Sequence, residues 1–357
     1  MSGAGAWRVY LGIEIGGTKL QLAVGQGDGT SLHELASLPV EPERGAAGIL
    51  VQMEQAGAAL IERWGVRGIG IGFGGPVAAS AGRVIRSHQI AGWEAFPLAA
   101  WCQRVFRRPT VIGNDCNLAA VAEARWGAGQ GHRRIFYVTV GTGVGGGFVL
   151  GGQLYGDDRP AVAEIGHLRP GLHDDRPETT VESLASGWGI VAAVQARLAG
   201  QISRPVETLR RDHEPDASGA RWCLTSAQQV DEEFSQDLRD RCGGDLERLT
   251  ARIVAQAATE GNEIAAEVLA HARQAMGWAI AQVVTLLAPE VIVVGGGVAS
   301  MGEQLYLAPL RDQVRRYVFP PLVDSYQLVA SPLGELVVPH GALGLARQRL
   351  EEEQPQA

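Results

Sequence analysis

The sequence predicts an α/β protein built as two related halves around a ligand cleft. Three observations point there. Strand and helix signals alternate along the chain. A pattern of strand, glycine turn and strand occurs twice, once over residues 9–24 and again from Tyr137. The 357 residues, 46% hydrophobic and 20% charged, suffice for a large core divided between two domains.

The elements follow in order. Residues 9–15 and 20–24 read as a hairpin, with a third strand near 34–40. Over 45–64, Ile49, Leu50, Met53, Ala56, Leu60 and Ile61 recur near helical spacing. "GIGIGFGGPV", from Gly68 to Val77, is a buried strand running into a glycine turn. "PTVIGNDCNLAAVAEARWG" reads as a short strand whose end, Asn114 and Asp115, caps a helix through about Arg125. The opening pattern then begins again: "YVTVGTGVGGGFVLGGQLYG", from Tyr137, lies against "YLGIEIGGTKLQLAVGQGDG", from Tyr10. The stretch 200–247 is polar with little periodicity and reads as a surface insertion or lid. After it, "IAAEVLAHARQAMGWAIAQVVTLLAPE" is a long apolar helix that Pro289 would stop.

Composition excludes several classes. No run of about 18 apolar residues occurs, and "MSGAGAWRVY" lacks the regions of a signal peptide, so the expected location is cytoplasmic, with no membrane partner. Cys102, Cys116, Cys223 and Cys242 form no CxxC pair and read as reduced, packed thiols. The net charge of −8 and the absence of a basic block argue against a nucleic-acid partner.

Two hairpins with exposed backbone N–H groups in their glycine turns would line the cleft with two anion nests, and polyphosphate is the natural occupant. The second hairpin also contains a GxGxxG match at Gly141, Gly143 and Gly146. That fingerprint needs a helix straight after the glycines, whereas "GGFVLGGQLYG" reads as a returning strand, which argues against a dinucleotide site. Glycines that merely allow tight packing are the other reading of each turn.

"GIEIGGTK", "GFGGPV", "GNDCNLAAVAEARWGAG", "TVGTGVGGGFVLGGQLYG", "AEIGH" and "APEVIVVGGGVA" together resemble, in order and spacing, the ROK family of sugar kinases and related repressors. The resemblance covers nearly the whole chain apart from residues 200–247. It implies an actin-like (ribonuclease H-like), hexokinase-type fold, with residues 1–115 and about 333–357 in one lobe and 116–332 in a larger one. It also implies ATP and Mg²⁺ as cofactors, a hexose substrate and a homodimer.

Asp115, in "GNDCN", matches the aspartate that takes the proton of the sugar hydroxyl in such kinases; a plain helix N-cap is the other reading. Asn114 beside it would donate to a sugar hydroxyl. Glu164 and His167, three positions apart, would share one side of a helical turn and together suit a polyol. Glu182, in "TVESLASG", matches a further sugar-binding glutamate. Gly16, Gly17, Thr18 and Lys19 would approach the β- and γ-phosphates, with Gly141, Thr142 and Gly143 as the opposing turn. Lys19 also reads as a solvated strand residue. Gly295, Gly296 and Gly297, after the strand "VIVV", would let the backbone approach the adenosine part.

Three departures from the family pattern stand out. Glu14 occupies a position that is commonly aspartate, where the carboxylate helps position Mg²⁺ through water. Many members follow the GH motif with a cysteine cluster that binds a structural Zn²⁺; here "GHLRPGLHDDRPETTVES" has no cysteine, so no zinc is expected at that site. His173, Asp174 and Asp175 read as a polar loop. In "RSHQIAGWEAFPL", His88 and Gln89 replace the usual Pro-Asn pair, so Gln89 would bring the sugar-binding amide on a longer arm. Trp93 in the same stretch is a core residue or a sugar-stacking one.

The expected activity is ATP-dependent phosphorylation of a hexose, glucokinase-like, with fructose, mannose or an N-acetylhexosamine as alternatives. A non-catalytic sugar-binding or regulatory protein is the alternative from another class. Repressors of the family carry an N-terminal DNA-binding domain, for which the eight residues before the first hairpin leave no room.

Overall fold

The structure, a computed structural model, describes residues 8–352 except 88, 157, 158, 160, 172–175 and 201–223. It opens with an antiparallel hairpin of β1 (Tyr10–Ile15) and β2 (Lys19–Gly25), in which Ile15 pairs with Leu20. β3 (Glu34–Pro39) joins the outer edge of β2. Helix α1 (Gly45–Trp64) turns Ile49, Met53, Leu60 and Ile61 into the core and ends at Gly65, whose φ of 60° suits a left-handed cap. β4 (Ile69–Phe73) runs parallel to β1 and is buried throughout, as a strand covered on both faces must be. A small ribbon of β5 (Val77–Ala78) and β6 (Arg83–Val84) follows. Helix α2 (Leu98–Phe106) then leads to β7 (Thr110–Asn114), which closes a sheet of order β3-β2-β1-β4-β7.

Helix α3 (Asp115–Trp126) carries the chain to a second hairpin, β8 (Arg134–Val140) and β9 (Val144–Leu150), edged by β10 (Gln153–Leu154). Helices α4 (Val181–Ala185), α5 (Gly187–Leu198), α6 (Leu224–Arg241), α7 (Ala251–Thr259) and α8 (Glu263–Leu287) follow. Strand β11 (Val291–Gly295), helix α9 (Ala308–Tyr317) and β12 (Gln327–Ala330) complete a sheet of order β10-β9-β8-β11-β12.

The two sheets therefore repeat one topology: a hairpin, a third strand outside it, and two parallel strands on its other side. Laying Tyr137 on Tyr10 matches Gly143 to Gly16, but the hairpins correct this by two residues, since Gly141 opens the second turn as Gly16 opens the first. A shift of two leaves every side chain on its face, so the alternating pattern could not reveal it.

Helix α10 (Val337–Glu352) joins the halves. Leu343 and Ala346 pack with Tyr10 and Ala23 of the first sheet, while Val337 and Val338 pack with Ile135, Tyr137 and Val291 of the second. The contact is close: a methyl group at Gly12 would lie 2.7 Å from the Pro339 carbonyl, and one at Gly70 would collide with that of Ala342. Only glycine fits there.

One sequence reading needs amendment. Residues 224–241, taken as part of an aperiodic insertion, form a helix; Leu238 is fully buried and Cys242, four residues on, is buried too. Asn262 fastens this helix with hydrogen bonds from Nδ2 to Phe234 O and Asp237 Oδ2. The rest of the expected insertion, 201–223, lies outside the described residues, as do His88, His173, Asp174, Asp175 and Cys223. Trp93 is a core residue, fully buried edge-on between Phe73 and Phe96. Cys102, Cys116 and Cys242 are buried free thiols, and among the described residues no helix is long and apolar enough to cross a membrane.

Candidate active site

The first glycine turn is closed by a hydrogen bond from Gly16 N to Lys19 O at 3.0 Å, and the Thr18 carbonyl accepts from Val40 N at 3.0 Å. Thr18 stands exposed at the tip. Beneath it, Glu14 is largely buried and pairs with Lys19, Nζ to Oε2, at 3.7 Å. Burial pushes the Glu14 carboxyl up to about 7; the Lys19 charge opposes the rise and the Asp115 charge adds to it.

The second turn is closed by Gly141 N to Gly143 O at 2.9 Å and anchored on both sides. Gly187 N, at the start of α5, donates to Gly141 O at 2.8 Å. Val144 N donates to Glu182 Oε2 at 2.8 Å, so the α4 glutamate holds the turn as well as facing the cleft. Strand β9 follows these glycines, where a dinucleotide fingerprint would need a helix.

Asp115 sits where β7 meets α3. The sequence offered it as either cap or base, and the structure gives the cap to its neighbour. Asn114 is the N-cap, its Oδ1 accepting from Asn117 N at 3.0 Å, and Asp115 is the first helical residue. Both Nδ2 protons of Asn114 are engaged, one to Gly75 O at 3.1 Å and one to Asp115 Oδ1 at 3.1 Å. The expected donation to a sugar hydroxyl would therefore have to take the place of one of these two bonds.

Asp115 Oδ1 also accepts from Cys116 N at 2.8 Å. Its partner oxygen looks elsewhere: a methyl group on Gly74 would lie 3.4 Å from Asp115 Oδ2 and 3.7 Å from Gly16 Cα. The glycines thus form a bare floor between this oxygen and the first turn. Burial raises the Asp115 carboxyl to about 6, with the Glu164 charge adding and the Cys116 hydrogen bonds opposing.

Glu164 and His167 do share one turn, a single 3-10 turn over Ile165–His167, with His167 Nδ1 3.7 Å from Glu164 Oε2. Ala163 enters it at φ 62°, a left-handed conformation uncommon for alanine. Burial raises the Glu164 carboxyl, opposed by His167 and reinforced by Glu182. Glu14, Asp115, Glu164 and Glu182 thus form a chain of carboxylates, each within electrostatic reach of the next.

Gly295, the last residue of β11, and Gly296 and Gly297 after it serve different ends. A methyl group at Gly295 would strike the Tyr137 hydroxyl, and Gly296 has φ 92° and lies against the Val140 carbonyl, whereas Gly297 faces open space. Gly297 N in turn lies 3.7 Å from a methyl group built on Gly141, so this glycine borders the second turn. Gln89 lies over Gly17.

Sequence reasoning missed Ser87, whose Oγ accepts from Gln89 N at 3.2 Å, and the floor residues Gly74 and Gly75. A glycine pair directly after a wholly buried strand was the available signal.

Glu14 Oε2 is buried with no hydrogen-bond partner, only the Lys19 ammonium 3.7 Å away balancing it. A hard carboxylate oxygen of this kind fits Mg²⁺, whose remaining ligands are typically phosphate and water. Among the described residues no group of three or more His, Cys, Asp or Glu side chains could hold a metal.

Fold and site define a two-lobed, actin-like α/β protein with a carboxylate-lined cleft between two glycine turns. The chain belongs to the ROK family, whose model matches residues 10–349. It is 28% identical to a glucokinase of Halalkalibacterium halodurans over 92% of this chain and 91% of that protein. It is 34% identical to an N-acetylmannosamine kinase of Escherichia coli over 69% of this chain and 78% of that one. Among solved structures, a ROK glucokinase of Streptomyces griseus in complex with glucose and AMPPNP superposes with a TM-score of 0.78 at 27% identity, covering 95% of this chain and 99% of that chain.

Proposed function

We propose that the protein transfers the γ-phosphoryl group of ATP to a hydroxyl of a hexose, glucose foremost, with Asp115 as general base. The observation that carries this reading is the place of Asp115 Oδ2 beside the bare glycine floor of the first turn, on a carboxyl that burial raises to about 6. Relatives named glucokinase and N-acetylmannosamine kinase support it, and the second name keeps N-acetylhexosamines beside fructose and mannose as alternative acceptors.

In this reading the backbone of Gly16, Gly17 and Thr18, with Lys19, holds the β- and γ-phosphates against Gly141, Thr142 and Gly143. Gly297 gives the nucleoside close backbone approach, with Gly295 and Gly296 shaping the bend. Glu164, His167, Glu182 and Gln89 orient the sugar hydroxyls, and Asn114 holds the base. Mg²⁺, when bound, would offset charge on the phosphate oxygens, with Glu14 helping to position it through water. The attacking hydroxyl gives its proton to Asp115 Oδ2 as its oxygen bonds to the γ-phosphorus, while the bond to the β,γ-bridging oxygen breaks and ADP leaves. Residues 1–115 with 333–357, and 116–332, are the proposed lobes; packing of α10 on β1 supports the first. A homodimer is proposed with them, to be checked by light scattering.

ADP release from Mg-ATP across a panel of hexoses and N-acetylhexosamines tests the proposal. Activity on one or two sugars, lost in Asp115→Asn, supports it. Sugar binding by calorimetry without turnover on any sugar would replace it with a non-catalytic sugar-binding or regulatory role.

A further inference from the structure

Gln89 lies across the line between the two glycine turns. A methyl group on Gly17 would collide with the Gln89 carboxamide, and one on Gly143 would sit 4.0 Å from Gln89 Nε2 and 2.6 Å from Glu182 Oε2. One side chain from the first half thus reaches from the first turn toward the second. It also borders a recess lined by Ile15, Gly16, Phe73, Gly74 and Trp93. Ser87 Oγ fixes the root of this arm, accepting from Gln89 N and from Ile90 N at 3.1 Å. The carboxamide itself makes no hydrogen bond among the described residues, and Gln89 is exposed, so the arm can swing away.

The position matters because a base is not selective. A carboxylate that deprotonates a sugar hydroxyl would serve a water molecule equally well. Water's oxygen would then bond to the γ-phosphorus while the bond to the β,γ-bridging oxygen breaks. Asp115 would receive the water proton, and ADP and inorganic phosphate would leave. Something must keep water out of line until the sugar arrives.

We infer that Gln89 makes phosphoryl transfer depend on the sugar: without sugar its carboxamide blocks the line between the first turn and the acceptor place beside Asp115, and a bound sugar displaces it. The inference rests on the kinase reading above. The arm's length is essential to it, because asparagine at this position is one methylene too short to lie over Gly17 and reach toward Gly143.

The test is ADP release from Mg-ATP without any sugar, for the wild type, Gln89→Ala and Gln89→Asn, beside the same proteins with glucose, mannose and N-acetylmannosamine. Alanine should raise sugar-independent hydrolysis about tenfold, with asparagine intermediate. A rate that stays level or falls, even with a raised sugar KM, overturns the gate and leaves Gln89 an ordinary sugar ligand. Asparagine, which keeps the polar group, carries the test should the alanine variant misfold. A wild type that neither phosphorylates a sugar nor hydrolyses ATP fails the kinase reading instead. The gate is then read by calorimetry with Mg-AMPPNP, since an amide lying over Gly17 also obstructs the phosphate turn. Tighter binding by Gln89→Ala supports it, and equal binding overturns it.

Discussion

Asn114 Nδ2 donates to Asp115 Oδ1 at 3.1 Å, while Asn114 Oδ1 caps α3 through Asn117 N. One amide thus serves two neighbours: its oxygen caps the helix, and its nitrogen holds the carboxylate so that the other carboxylate oxygen faces the glycine floor.

The two roles can be separated by substitution. Asn114→Ala should lose both functions, costing about 1 kcal/mol of stability from the cap alone and lowering kcat. Asn114→Ser keeps a capping oxygen but has no amide to hold Asp115, so urea unfolding should stay near wild type while kcat falls. Equal kcat in serine and wild type would show that the amide does not position the base.

The raised Asp115 carboxyl fixes a pH dependence. As the proposed base, Asp115 would act deprotonated, so kcat/KM should fall with acid through about pH 6. For stability the sign is opposite. The folded protein holds this proton more tightly than the unfolded chain, so ionisation costs stability as pH rises through that range. Asp115→Asn should therefore raise Tm at pH 8 with little effect at pH 4, while lowering kcat about 10²–10⁴-fold. Calorimetric scans at both pH values, beside a kcat/KM profile, test both signs.

Glu182 links the second turn to the cleft through Val144 N. Glu182→Gln keeps an acceptor for that N–H, whereas Glu182→Ala leaves it unsatisfied at a cost of about 1–3 kcal/mol. Alanine should raise the KM of ATP and of sugar together, because the turn loosens; glutamine should affect mainly the sugar. Steady-state kinetics with each substrate varied would distinguish a turn anchor from a simple sugar ligand.

Gly295 and Gly297 offer a contrast between packing and ligand glycines. Gly295→Ala drives a methyl into the Tyr137 hydroxyl and should destabilise by about 1–3 kcal/mol. Gly297→Ala meets nothing in the protein, so Tm should hold while the KM for ATP rises. An unchanged KM in Gly297→Ala would remove Gly297 from the nucleotide site.

The sequence by itself determined the two hairpins, the strand into "GFGGPV", the helix over 45–64 and the helix from Asp115 to about Arg125. Each rests on local physics: alternation for strands, 3.6-residue spacing for helices, glycine where the chain must turn or approach closely. Hidden from it was the register between the halves, because a shift of two residues preserves alternation. Also hidden were helix α6 with its buried Leu238, an apolar position spaced among charged ones, and the identity of the true cap beside Asp115. The tertiary structure alone decided that Gln89 and Gly17, 72 residues apart in the chain, lie against each other. It alone decided that Glu182 holds Val144, and that α10 returns to seal β1 through Gly12. Such pairings are set by the packing of distant segments, which local patterning does not encode.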